Sequence, residues 1–227
     1  KRRRCSDSDS YNFRELKKMS LTKPTLSNLR AAGTTVGDVY FPRTELLLPF
    51  DGSNGATATS DLSDNNHSVT FVGNTQISTA QSKFGGSSAL FDGTGDSLSF
   101  DASSSWEFGT GDFTIEFWVR FGAGSVYHTI WDYGYVGNGS LLLQTTNDSS
   151  PKMRIYVDYG RTEDMVTDST AASLNTWHHY ALVRSSGTVT IYRDGVSTVS
   201  ASATGSIDAG SAPAIGIKAG TSTHPFN

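Results

Sequence analysis

The chain has 227 residues, 18% of them charged, and a formal net charge of −4, a length that suits one all-β sandwich and leaves little room for two full domains. No apolar run approaches the roughly 20 residues of a membrane-spanning helix, no signal-peptide core is visible, and the single Cys5 cannot form an intramolecular disulfide, which leaves packing and a bound metal as sources of stability. Residues 1–43 hold ten Lys/Arg against four Asp/Glu and residues 44–227 eight against eighteen; the acidic body argues against nucleic-acid binding, which needs clustered Lys and Arg.

Taken in chain order, residues 1–43 form a basic, low-complexity N-terminal extension without strand rhythm. Within it the spacing of Phe13, Leu16 and Met19 predicts one short helix over Tyr11–Met19 with Ser10 as N-cap. Pro24, Gly33, Gly37 and Pro42 then punctuate a linker. From residue 44 a period-two pattern takes over. Strands are expected at 46–50 and 68–72, and those at 88–91 and 97–100 read as a hairpin around Asp92-Gly93-Thr94-Gly95.

The clearest alternation sets Phe113, Ile115, Phe117 and Val119 against Thr114, Glu116, Trp118 and Arg120. Residues two apart share a face, so the odd set is assigned to the core. Strands at 129–133, 141–145 and 152–158 follow, the last with Met153, Ile155 and Val157 inward. The run 177–201 then reads as consecutive hairpins, with Ser185-Ser186-Gly187 and Asp194-Gly195 as turns and Val189 and Ile191 inward, before a last strand at 214–218. About a dozen short strands suit a two-sheet antiparallel jelly-roll β-sandwich.

Four motifs carry a resemblance: Leu47-Leu48-Pro49-Phe50-Asp51-Gly52, Phe91-Asp92-Gly93-Thr94-Gly95-Asp96, Gly111 to Arg120, and Trp177 to Gly195. In this order they resemble the laminin G-like branch of the concanavalin A-like lectin/glucanase superfamily, over about residues 46 to 226. The resemblance implies the jelly-roll fold and recognition more than chemistry, since this scaffold serves lectins, adhesion modules and hydrolases alike. It also implies a final strand returning beside the first. That strand is expected to be missing here, leaving 46–50 with an unpaired edge. Both termini read as interior cuts of a longer polypeptide.

Hydrolases on this fold use paired carboxylates on one strand, typically Glu-x-Asp-x-x-Glu, one protonating the leaving oxygen and the other attacking or activating water. Glu116 has Trp118 and Phe121 where its partners would stand, so no catalytic residue is assigned. His178 and His179 are strand neighbours on opposite faces and cannot chelate one ion from one side. Calcium is the one cofactor the loops suit, held by oxygens of Asp92 with Asp96, Asp51 with Asn54, or the Asp61–Asn66 loop. For a sugar, the candidate aromatic platforms are Trp131, Tyr133 and Tyr135, with Tyr156 and Tyr159 on the outward face of a neighbouring strand, while Trp118 and Trp177 are assigned to the core or beneath a loop. The resulting expectation is a non-catalytic module recognising glycan or surface protein, extracellular or on a virion, within a larger phage tail-fibre or bacterial surface protein. A purely structural or decorating module and a divergent glycosidase are the alternatives.

Overall fold

The computed structural model describes residues 15–22, 41–134, 139–158 and 164–216, with backbone alone for 15–22 and Asp164. Apart from two 3-10 turns, at Phe41–Arg43 and Ser104–Trp106, the regular elements are strands. In chain order these are β1 (Glu15–Thr22), β2 (Thr44–Leu48), β3 (Val69–Val72), β4 (Gln76–Ser78), β5 (Ser88–Leu90), β6 (Ser97–Phe100), β7 (Phe113–Arg120) and β8 (Thr129–Tyr133). They continue with β9 (Leu141–Thr145), β10 (Met153–Val157), β11 (Asp164–Thr167), β12 (Trp177–Ser185), β13 (Thr188–Arg193), β14 (Val196–Ser202) and β15 (Ala214–Ile215).

They build two antiparallel sheets. One runs β14-β13-β12-β7-β1-β5-β4 with β2 also paired to β1, and the other runs β11-β10-β9-β8-β15-β6-β3. The core lies between them. Strand β7 buries Phe113, Ile115, Phe117 and Val119 and leaves its even positions half-buried, and the inward assignments of Met153, Ile155, Val157, Val189 and Ile191 hold as well. Large aromatic side chains fill this core: Phe117 and Tyr180, on the paired strands β7 and β12, stack with centroids 6.0 Å apart, and Trp106 of the 3-10 turn meets Trp131 of β8 edge-on at 5.6 Å. The hairpins β12–β13 and β13–β14 form as the turn residues predict.

Three expectations are corrected. Residues 15–22 form a strand rather than part of a helix over Tyr11–Met19, so the sandwich begins inside the stretch read as an extension. This β1 pairs with β7 on one edge and with β5 and then β2 on the other, so β2 has a partner where an open edge was expected. Finally, β5 and β6 do not pair with each other. They belong to opposite sheets, and Phe91–Asp96 is the crossing between them.

Candidate functional site

The register across the seven-stranded sheet sorts its residues into two faces. Trp131, Leu143, Ile155 and Val166 stand in one row, and Tyr133, Leu141 and Val157 in the next, all facing the core. The opposite face carries the row Thr70, Ser99, Ala214, Asp132, Leu142, Tyr156 and Met165, with Gln144, Arg154 and Thr167 beside it. Its centre is buried: Asp132 is 0% exposed, Leu142 1%, Gln144 6% and Tyr156 7%, whereas Met165 at the outer strand is 49% exposed. None of these belongs to the core cluster. Strands β8 and β9 are therefore covered on both faces, which explains why Leu141-Leu142-Leu143 reads as a continuous apolar run instead of an alternation.

Polar side chains in this recess are partly committed to one another. The Arg154 guanidinium donates from Nη1 to the Tyr156 hydroxyl at 2.9 Å and from Nε to Thr167 Oγ1 at 3.2 Å. This holds Arg154 beside the tyrosine ring, 5.8 Å from its centroid. Gln144 is different: its Oε1 is buried with no hydrogen-bond partner among the described residues. A buried acceptor left without a donor costs about 1–3 kcal/mol. Arg154, Tyr156 and Met165 together place a cation, an aromatic hydroxyl and an apolar side chain on this face.

The aromatic platform expected from the sequence divides. Tyr156 stands on the face away from the core as assigned, but is only 7% exposed. Trp131 and Tyr133 are corrected: both are completely buried and inward, Trp131 against Trp106 and Phe100, and Tyr133 with its hydroxyl accepting from the Gly210 amide at 3.0 Å. A ring with no exposed face cannot stack on a sugar. Tyr135 and Tyr159 lie outside the described residues. Asp132, Gln144 and Arg154 were missed, although Arg154 shares the parity of Tyr156 and could have been found from it.

Asp92, Asp96, Asn54 and Asp61 of the expected calcium sets are engaged in hydrogen bonds. The two oxygens of Asp96, a fully buried residue, accept the backbone amides of Asn74 at 2.6 Å and Asp92 at 2.7 Å. Those of Asp92 accept the Thr94 amide at 2.8 Å and Asn74 Nδ2 at 3.0 Å. Burial raises the Asp96 pKa, while the Asn74 side chain, followed by the Thr94 amide, lowers that of Asp92. Asn54 Oδ1 accepts from Thr79, Asp51 is exposed, and Asp61 accepts the amides of Leu47, Ser63 and His67. N–H groups present positive ends where a cation would sit, and no group of three or more His, Cys, Asp or Glu suited to a metal occurs among the described residues. These carboxylates fasten turns.

A sequence model of the laminin G type, described as the concanavalin A-like lectin/glucanases superfamily, matches residues 92–227, more than half of the chain. The chain belongs to this superfamily. Domain 4 of AbnA, an extracellular GH43 arabinanase from Geobacillus stearothermophilus solved with arabinotriose, is 13% identical with a TM-score of 0.55, covering 94% of this chain and 88% of that one. A putative carbohydrate-binding protein from Bacteroides ovatus is 15% identical with a TM-score of 0.47 over 96% of this chain and 70% of its own. Domains LG4-5 of mouse laminin alpha1 are 16% identical with a TM-score of 0.37 over 49% and 32%. At such identities the likeness to the arabinanase domain establishes the sandwich alone. No curated protein matches the sequence.

Proposed function

We propose that this superfamily member is a non-catalytic recognition module that binds glycan, or a protein surface, on the outward face of its seven-stranded sheet. The observation that carries the reading is the group of Arg154, Tyr156 and Met165 toward the outer strand of that face, outside the core cluster, where Arg154 is half-buried and Met165 49% exposed. Sugar hydroxyls supply acceptors to the guanidinium, and Met165 beside Tyr156 provides apolar contact. Among the described residues at the paired positions of this face, Asp132 is the only carboxylate, whereas glycosidase chemistry needs two, about 5–10 Å apart. No helix among the described residues is long and apolar enough to cross a membrane. We place the module outside the cell or on a particle surface, as part of a larger phage or bacterial surface protein, in keeping with a Gly-, Ser- and Thr-rich body without disulfides.

A glycan array that includes arabino-oligosaccharides, probed with the chain and with Arg154→Met, tests the reading. Retention on defined glycans that Arg154→Met abolishes without changing the far-ultraviolet spectrum is the expected result. Failure to bind any glycan or surface protein would favour a structural module. Release of reducing ends, lost in Asp132→Asn, would overturn the non-catalytic assignment.

A further inference from the structure

The outward face of the other sheet carries a cleft of about 590 Å³ at the β12 end, lined by Trp118, Thr176, His179 and Asp194 among others. This volume lies within the range of small-ligand sites. Its geometry follows from the Asp194-Gly195 turn, whose two residues have φ of 51° and 80°, the positive values a type I′ hairpin requires. The turn brings the Asp194 carboxylate back onto β12, where Oδ1 accepts the His179 amide at 2.9 Å and Oδ2 accepts from His178 Nδ1 at 2.8 Å. His178 Nε2 in turn accepts the Ser173 amide at 3.2 Å, which fixes His178 as the Nδ1–H tautomer. Asp194 is thus held from behind by a buried histidine while its own side chain remains 47% exposed. Burial alone would raise its pKa, but the His178 and His179 hydrogen bonds outweigh this and leave it lowered, so the group is ionised.

Trp118 on β7 stands opposite His179 on β12, their rings 5.0 Å apart. Glu116, 40% exposed, approaches His179 Nε2 at 3.6 Å. The Lys83 ammonium lies 3.4 Å from the centroid of the Trp118 ring. That charge occupies the electron-rich ring and opposes a second cation on it. Asp194 and Glu116 oppose an anion. An uncharged ligand with an apolar C–H face and several hydroxyls satisfies both constraints.

We propose that this cleft is a second carbohydrate subsite, in which a neutral pyranose or furanose ring packs against the part of Trp118 that lines the cleft and hydrogen-bonds to the Asp194 carboxylate, with Glu116 at the margin beside His179. It lies on the sheet opposite the Gln144–Arg154–Tyr156 recess and stands whether or not that recess binds sugar. Two faces able to hold sugar would let one module bridge two chains or grip a branched one, gaining avidity from two weak contacts.

The test is a titration of the isotopically labelled full chain with neutral mono- and disaccharides, following the indole N–H of Trp118, identified by its absence in Trp118→Leu, and the Gly195 amide. Saturable shifts of both signals are expected, weakened roughly tenfold in Asp194→Asn, which preserves the side-chain shape if Trp118→Leu proves poorly folded. The shifts should persist in Arg154→Met. If Trp118 never responds while the recess signals do, the second subsite is overturned and the recognition reading survives. Loss of the Trp118 response in Arg154→Met would refute a separate site, and tighter binding of choline than of any neutral sugar would refute the ligand class.

Discussion

Replacing Arg184 by methionine is expected to cost about 4 kcal/mol of folding stability, the value following from what its side chain holds together. Arg184 is 1% exposed on β12, and its partners are carbonyls rather than a carboxylate: Nε donates to Gly111 O at 2.7 Å, Nη1 to Gly205 O at 2.8 Å and Nη2 to Gly109 O at 2.6 Å. The guanidinium also lies 4.8 Å from the Phe113 ring centroid. One planar group therefore clamps the β6–β7 loop to the segment after β14, where Gly109 and Ile207 form an isolated bridge. Burial lowers the Arg184 pKa to about 10, opposed by Asp112, so the group stays charged at neutral pH. Each charge-assisted hydrogen bond contributes about 1.5–3 kcal/mol, while desolvating the cation costs several kcal/mol. Methionine relieves the desolvation but takes a donor from three carbonyls at once, and breaking such a buried charged network costs about 3–5 kcal/mol. Arg184→Lys keeps the charge without the fork and should lose about 2 kcal/mol. Urea unfolding should show a lower midpoint at unchanged slope. A midpoint for Arg184→Met within error of the parent would refute the clamp.

Acid should weaken the fold through His128, which is completely buried and has Nε2 2.8 Å from the Ala123 carbonyl oxygen. Burial lowers its pKa from 6.5 to about 4, against the opposing effect of that carbonyl. Between those values the unfolded chain binds a proton that the folded chain refuses. Stability should therefore fall as pH drops through this window, by about 3 kcal/mol in all, and urea midpoints at pH 7 and pH 4.5 should converge in His128→Gln. Millimolar calcium and a chelator should give the same melting midpoint, because the Asp92 and Asp96 oxygens face N–H donors; a gain approaching the roughly 2.7 kcal/mol of a ligand at a hundredfold excess over Kd would reinstate the cation. Gln144→Met should raise the urea midpoint, since it removes a buried acceptor that has no hydrogen-bond partner among the described residues; a stability loss above about 1 kcal/mol would show that Gln144 is structural.

The elements legible in the sequence were those whose burial is one-sided. Strand β7 alternates cleanly because its even positions face outward, and the β12 to β14 hairpins announce themselves through turns with positive φ at Ser186, Gly187, Asp194 and Gly195. Strands β4 and β11, three and four residues long, were too short to show a period. Strand β1 was misread because Phe13, Leu16 and Met19 stand three apart in the sequence, the spacing of a helix, while its pairing with β7 shifts register between Lys17 and Ser20. The crossing at Phe91–Asp96 looked like a hairpin because the Asp92 and Asp96 carboxylates tie its backbone as a turn would, while the strands on either side enter different sheets. As for the sites, Tyr156 was visible by parity, but Gln144 could not be singled out without knowing that its strand is covered on both faces.

The position of β1 bears on what counts as the module. The superfamily match spans residues 92–227, yet β1 lies at Glu15–Thr22 and fills the middle of the eight-stranded sheet. One of its edges completes the ladder of β7, and the other completes those of β5 and β2. Removing it would open three strands along one gap in a sheet interior, a larger hazard than a single exposed edge. The ring of Trp118 is carried by β7, the strand that β1 flanks, at the register position Lys17↔Trp118. Integrity of the cleft around Trp118 and Asp194 therefore depends on residues seventy or more positions before the start of the matched region. In this sandwich the segment that looks like a basic tail is part of the sheet on which the second proposed sugar contact is built.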